Sequence, residues 1–283
     1  MVELERALVS TEFVDASHPA VRNFALDVLA GATGKSAARA LFAAVRDRIR
    51  YEGVADFSAR SSYRASDVLL AQRGFCIGKA SLLAAAARAV GIPARLGFAD
   101  VVNHLATPRL RALIDGEVVG WHGYALLWLD GRWFELSPAF DQQTCSKLKT
   151  HVVEFDGESD ALLQPFDLEN RRHMEYVRDH GVYDDVPFEV VSAELAALHP
   201  RVLALARARA STPPATPRSL AMSSVLPIQL GKVNEETHDE SRSQHQTANH
   251  RSTALADGGF GPEAVVLRSG RRLAGSIGAP DLF

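Results

Sequence analysis

The stretch Gly74-Phe75-Cys76-Ile77-Gly78-Lys79-Ala80, with the alanine-rich run behind it, constrains this chain more than any other. From Ile77 to Val90 nearly every residue is a good helix former. Ile77, Ala80, Leu83, Ala87 and Val90 recur at three- and four-residue steps and share a face. Gly91 stops the helix and Pro93 prevents its continuation. Gly74 supplies the permissive backbone that a tight entry needs. Cys76 therefore sits at or just before a helix N-terminus, where unpaired N–H groups and the helix dipole stabilise an anion. A thiol in that place has its pKa lowered. A lone cysteine is more often a small buried hydrophobe, so its chemistry depends on what the rest of the chain supplies.

The composition excludes several classes. A chain of 283 residues with 47% hydrophobic and 23% charged residues is ordinary globular material. A net charge of −3 provides no basic footprint for nucleic acid. Two cysteines, Cys76 and Cys145, make no disulfide framework and suit a reducing compartment. The Met1–Arg6 stretch lacks the apolar core of a signal peptide. No apolar run approaches the ~20 residues needed to span a bilayer. The expectation is a soluble cytoplasmic protein that contacts neither membrane nor nucleic acid.

Along the chain, Ser17-His18-Pro19 reads as a helix start and Gly31 as its end. Ser36 opens a second helix, with Ala40, Leu41, Ala44, Val45 and Ile49 inward and Arg46, Asp47, Arg48 and Arg50 toward water. The segment from Tyr51 to Arg64 reads as irregular. Residues 94–102 read as a strand, and Asn103–Gly116 as a polar connection. Residues 121–129 and 132–136 flank Asp130-Gly131, a strong hairpin signal. Thr150–Phe155 predicts another strand, and Asp156–Asp185 an acidic, loop-rich segment. A helical stretch capped by Ser192 is interrupted by Pro200 and resumes to Ala210. After Ser211 the Pro-rich and then polar composition predicts a mostly disordered tail. The expected organisation is a core over residues 1–141, an extension over 142–210 packed on or completing it, and the tail over 211–283.

Four elements together resemble the transglutaminase-like branch of the papain-like cysteine enzymes. They are Gly74-Phe75-Cys76, Arg88-Ala89-Val90-Gly91-Ile92-Pro93-Ala94-Arg95, His122 opening a strand with Trp128, and Trp133-Phe134-Glu135-Leu136-Ser137-Pro138-Ala139. The resemblance covers about Ala40 to Asp141. It implies an α+β fold, with helices packed on an antiparallel sheet and the nucleophilic Cys at a helix N-terminus. It also implies a Cys–His–acid triad and acyl transfer through a Cys76 thioester. Cys76 would be the nucleophile, His122 its proton acceptor, and the Cys76 N–H part of an oxyanion site. Gln72 is a further candidate oxyanion donor. The donor substrate would be a protein or peptide, or a small amide or thioester. The acceptor is either an amine, giving transglutaminase-like amide formation, or water, giving peptidase or amidase action. A non-catalytic binding module on the same fold is the other class. Oligomeric state stays open.

The family's Asp position is occupied by Ser137, which carries no charge to support an imidazolium. With Asp130-Gly131 as a two-residue loop, Leu129 faces Arg132 and His122 faces Ala139. Ser137 and Asp141 then become diagonal neighbours of His122, within ~7–8 Å. Asp141 is the preferred third residue and Ser137 the alternative. Cys145 reads as a structural thiol rather than as half of a second pair with His151, His104 and His173 read as surface residues, and Trp128 with Trp133 as a cross-strand aromatic pair. No Cys/His spacing suits zinc, no EF-hand loop occurs, and no phosphate loop is present, so no metal or cofactor is expected.

Overall fold

A computed structural model of the chain describes residues 2–211, so the expected tail lies outside the described residues except for Ser211. At its centre is the alanine-rich helix α5 (Cys76–Ala89). Helices α2 (Pro19–Leu29), α3 (Gly34–Arg48) and α4 (Ala65–Ala71) pack on one side of it. Strands β3 (Ala94–Asn103) and β4 (Val118–Leu129) pack on the other. The sequence periodicity predicts one buried face for α5, but every residue from Cys76 to Arg88 is buried. Small alanine side chains let neighbours approach from all directions, which is the pattern of a fully enclosed helix.

Two basic side chains inside α5 are spent on backbone. The fully buried Lys79 Nζ donates to Arg46 O at 2.9 Å and Ile49 O at 2.6 Å, capping the carbonyl end of α3. Arg88 donates to the carbonyls of Val9, Ala94 and Asp184, tying three distant segments to the end of α5. Gly91 follows in a left-handed conformation at φ +82°, as the sequence predicts for the helix end.

The sheet is antiparallel, in the order β5-β4-β3-β6, with β5 at Arg132–Leu136 and β6 at Met174–Tyr183. This is the α+β arrangement the sequence implies. The predicted hairpin register holds: Leu129 pairs with Arg132 and Trp128 with Trp133, whose rings lie 5.4 Å apart. A parallel pair of short strands, β1 (Arg50–Tyr51) and β2 (Arg73–Gly74), leads into α5. Helix α1 (Val2–Arg6) precedes this core, and α8 (Phe188–Leu198) and α9 (Pro200–Ser211) follow β6.

Several local expectations fail for physical reasons. Thr150–Phe155 forms only one bridge, from Thr150 to Asp167, and no strand. β6 runs instead through the segment expected to be loop, as a charged edge strand carrying Glu175, Arg178 and Asp179. Part of the expected polar connection is helix α6 (Pro108–Ile114), whose Thr107 hydroxyl caps Leu110 N at 3.1 Å. His18, not Ser17, caps α2, through Nδ1 to Ala20 N. Arg46 faces inward: it is buried and bonds Val153 O, Asp47 and Glu154. His173 is buried as well.

Gly78 gives a test of this packing. A Cβ there would stand 2.5 Å from Ser62 O and 2.8 Å from Val68 Cγ2. Helix propensity alone favours Gly78→Ala by about 1 kcal/mol. Overpacking against fixed backbone outweighs that gain, so the substitution is expected to destabilise by about 1–3 kcal/mol in urea unfolding. A stabilised variant contradicts this packing.

Candidate active site

The first turn of α5 runs directly into β4. A Cβ on Gly123 would lie 2.9 Å from Ile77 Cα, so only glycine lets the helix start approach the strand this closely. That contact puts the Gly123 N–H against the Cys76 sulfur and makes His122 the adjoining residue. The residue before α5, Phe75, provides no side-chain cap for the first-turn N–H groups. They are left to the sulfur, or to an anion forming beside it.

Both candidate groups are buried, Cys76 at 5% exposure and His122 at 4%. Burial pushes the Cys76 thiol up to about 11, while the N–H groups of Gly123, Ile77 and Cys76 itself pull it down. The sequence predicts a lowered thiol pKa; desolvation of the thiolate outweighs the helix start. Burial alone takes His122 down to about 4. Burial thus disfavours the charged form of both groups, the thiolate of Cys76 and the imidazolium of His122. The buried Tyr63 and the half-buried Tyr51 and Tyr176 lie close enough to Cys76 for a thiolate there to raise their pKa values, although desolvation is the larger cause. The Tyr176 ring meets His122 edge to face at 5.8 Å.

The third position goes to Ser137. Its Oγ lies 3.1 Å from His122 Nε2. Its own N–H donates to Ala161 O at 2.8 Å, so the segment after β5 is held by the extension. The structure does not bring Asp141 to the His122 ring by any hydrogen bond. Asp141 caps helix α7 (Gln142–Leu148) through Oδ1 to Thr144 N at 2.7 Å, and Oδ2 accepts from Tyr51 N at 2.7 Å. β5 ends at Leu136, so the ladder that would make Asp141 a neighbour of His122 does not extend that far. A local reading was available, since Asp before a short helical run is an N-cap signal.

Gln72 is also occupied elsewhere: it ends α4 at φ +54° and its Nε2 donates to Leu69 O. Cys145 is buried in the first turn of α7, an end that Asp141 already caps, and its thiol is also pushed up to about 11 by burial. Both cysteines are free. Among the described residues no three His, Cys, Asp or Glu side chains converge as a metal site requires. Sequence reasoning missed Gly123 and Tyr176; a glycine directly after the candidate base was the visible signal for the first.

Residues 22–138 match the family model of the transglutaminase-like superfamily. The chain carries a transglutaminase-like superfamily domain. The matched stretch holds Cys76, His122 and Ser137 and ends before Asp141. Among solved structures, a candidate cysteine protease from Cytophaga hutchinsonii aligns with 66% of this chain and 49% of its own, at 15% identity and TM-score 0.43. A protein described as a TGase aligns with 42% of this chain and 30% of its own, at 17% identity and TM-score 0.32. The chain thus spans about half of the first and under a third of the second. No curated protein matches it.

Two outcomes follow from the geometry. The folded state binds fewer protons at His122 than the unfolded chain does between about pH 4 and 6.5. Stability from this group is present above about 6.5 and is lost as pH falls toward 4, on the order of 3 kcal/mol. His173 and His199 are lowered by burial and act in the same direction. Urea unfolding across this range should therefore show a shallower acid slope in His122→Gln, and an unchanged slope contradicts the burial. Asp141→Ala is expected to cost about 1–2 kcal/mol through the lost cap while leaving Cys76 alkylation close to wild type. Ser137→Ala should show the reverse. Site-resolved mass spectrometry beside thermal melts separates the two.

Proposed function

We propose that the transglutaminase-like domain catalyses acyl transfer through a thioester on Cys76. The observation that carries this reading is the uncapped start of α5, with the Cys76 sulfur on it and His122 in the adjoining strand. His122 Nε2 faces Ser137, so Nδ1 is the ring nitrogen left for the thiol proton. In the first step Nδ1 takes the proton from Sγ as the sulfur attacks a substrate carbonyl. Creating the ion pair only as attack occurs suits two groups held neutral by burial. The oxyanion is met by the Cys76 N–H and its first-turn neighbours. The imidazolium then gives its proton to the leaving amine, and the thioester remains. An amine resolves the thioester to a new amide, and water resolves it to a carboxylate. In both cases His122 takes the proton of the incoming nucleophile and returns it to the sulfur.

The donor is a protein or peptide amide, or a small amide or thioester. Two free thiols and the lack of a membrane-length apolar helix among the described residues fit a cytoplasmic location. The neutral Ser137 supports a second reading, a non-catalytic binding module, because Ser orients His122 without stabilising its charged form.

Incubation with an activated acyl ester, followed by peptide mass spectrometry, decides between them. Catalysis predicts an acyl adduct on Cys76 that hydroxylamine removes and Cys76→Ala lacks. His122→Gln should slow its formation by about 10²-fold or more. Folded protein that never acquires the adduct, across ester, amide and thioester donors, supports the binding module. Adding a primary amine to the acyl-enzyme and weighing the product shows which acceptor wins.

A further inference from the structure

One residue before His122, strand β4 is broken. Trp121 sits at φ +52°, a left-handed conformation that bulky residues rarely enter. Ala99 pairs with His122, but Val101 pairs with Val119, so Asp100 stands opposite two residues, Gly120 and Trp121. This is a β-bulge, and it reverses the alternation of the strand. Continuing the pattern of Val118 and Val119 without it puts His122 on the opposite face of the sheet.

The bulge is held by side chains. Asp100 Oδ1 accepts from Trp121 N at 3.0 Å, and His199 Nε2 accepts from Gly120 N at 3.2 Å. The His199 tautomer follows, since its Nδ1–H donates to Ile114 O at 3.0 Å. The Trp121 indole N–H donates to Glu194 at 2.7 Å. Its face stacks on His180 at 4.1 Å, and the His180 imidazole reaches the same Asp100 oxygen at 2.6 Å. Strained backbone persists only where the surroundings over-determine it, and here four side chains do so. Three of them, His180, Glu194 and His199, lie beyond the stretch that matches the family.

We infer that Asp100, with His180, Glu194 and His199 of the extension, forms a positioning device for His122. It fixes the left-handed turn at Trp121 so that the next residue carries its ring to Ser137. None of the four touches the reacting atoms. Part of the extension is therefore a working piece of the site, and Asp100 is its keystone because one oxygen takes both the strained amide and the stacked imidazole. The inference rests on His122 acting as the proton acceptor for Cys76.

The test is the pH profile of Cys76 alkylation by iodoacetamide, read peptide by peptide on the full chain. His122→Gln defines the profile without the base. Asp100→Ala, with circular dichroism unchanged, is expected to fall about tenfold or more at neutral pH and approach that profile, whereas Asp100→Asn keeps an acceptor for the Trp121 N–H and stays within about threefold of wild type. A folded Asp100→Ala with the wild-type profile overturns the inference, as does an Asp100→Asn that falls as far as Asp100→Ala. If Asp100→Ala does not fold, Asp100→Glu replaces it, because Asp100 borders a cavity of about 370 Å³ that admits a methylene. Glu keeps the charge but moves the acceptor, so the same slowing is expected and a wild-type profile overturns the inference. A wild-type profile in His122→Gln brings down the reading of His122 itself. A change there without one in the Asp100 variants brings down only the positioning device.

Discussion

The site depends on one close approach, the start of α5 against β4 at Gly123. A side chain at that position would collide with the Ile77 backbone. Because it is absent, the Gly123 N–H reaches the Cys76 sulfur, and His122 is the residue before it in β4. The rest of the fold serves this contact. α2, α3 and α4 enclose α5 from behind, Lys79 fastens α3 to it, and Arg88 ties its far end to three other segments. The helix is alanine-rich because it has neighbours on every side.

Burial sets the electrostatic character of the pair. A helix start favours a thiolate, but a desolvated sulfur and a desolvated imidazole both favour their neutral forms, and desolvation is the larger effect. The neutral Ser137 is consistent with this. An acid at that position would stabilise a standing imidazolium, whereas a hydroxyl fixes the ring direction without adding charge. The carboxylate once expected there, Asp141, belongs to a structural joint between β1 and α7.

What could be read from the sequence was local or carried by type and order. Cys76 at a helix start, the Gly91 stop, the Trp128–Trp133 register and the order of Cys76 before His122 all follow from short patterns. The failures were set by distant partners. Arg46 and His173 look like surface residues in the sequence, yet both are buried, Arg46 against the Val153 carbonyl more than a hundred residues away. β6 carries too many charges to look like a strand, and it exists because β3 offers it an edge. The turn at Trp121 is invisible in Gly120-Trp121-His122, since its causes are Asp100, His180, Glu194 and His199. Extending the hairpin register past Leu136 misplaced Asp141, because Pro138 follows directly and the ladder stops.

We propose that Cys76 and His122 form one neutral reacting unit, with Nε2–H on Ser137 and Nδ1 free to take the thiol proton. Long-range 1H–15N spectra of the histidine-labelled protein, with His122 assigned by its loss in His122→Gln, test this directly. The account predicts a neutral Nε2–H tautomer at pH 6 and a displaced Nδ1 signal in Cys76→Ala. An Nδ1–H tautomer, or a ring that titrates near its ordinary pKa and ignores Cys76→Ala, contradicts it.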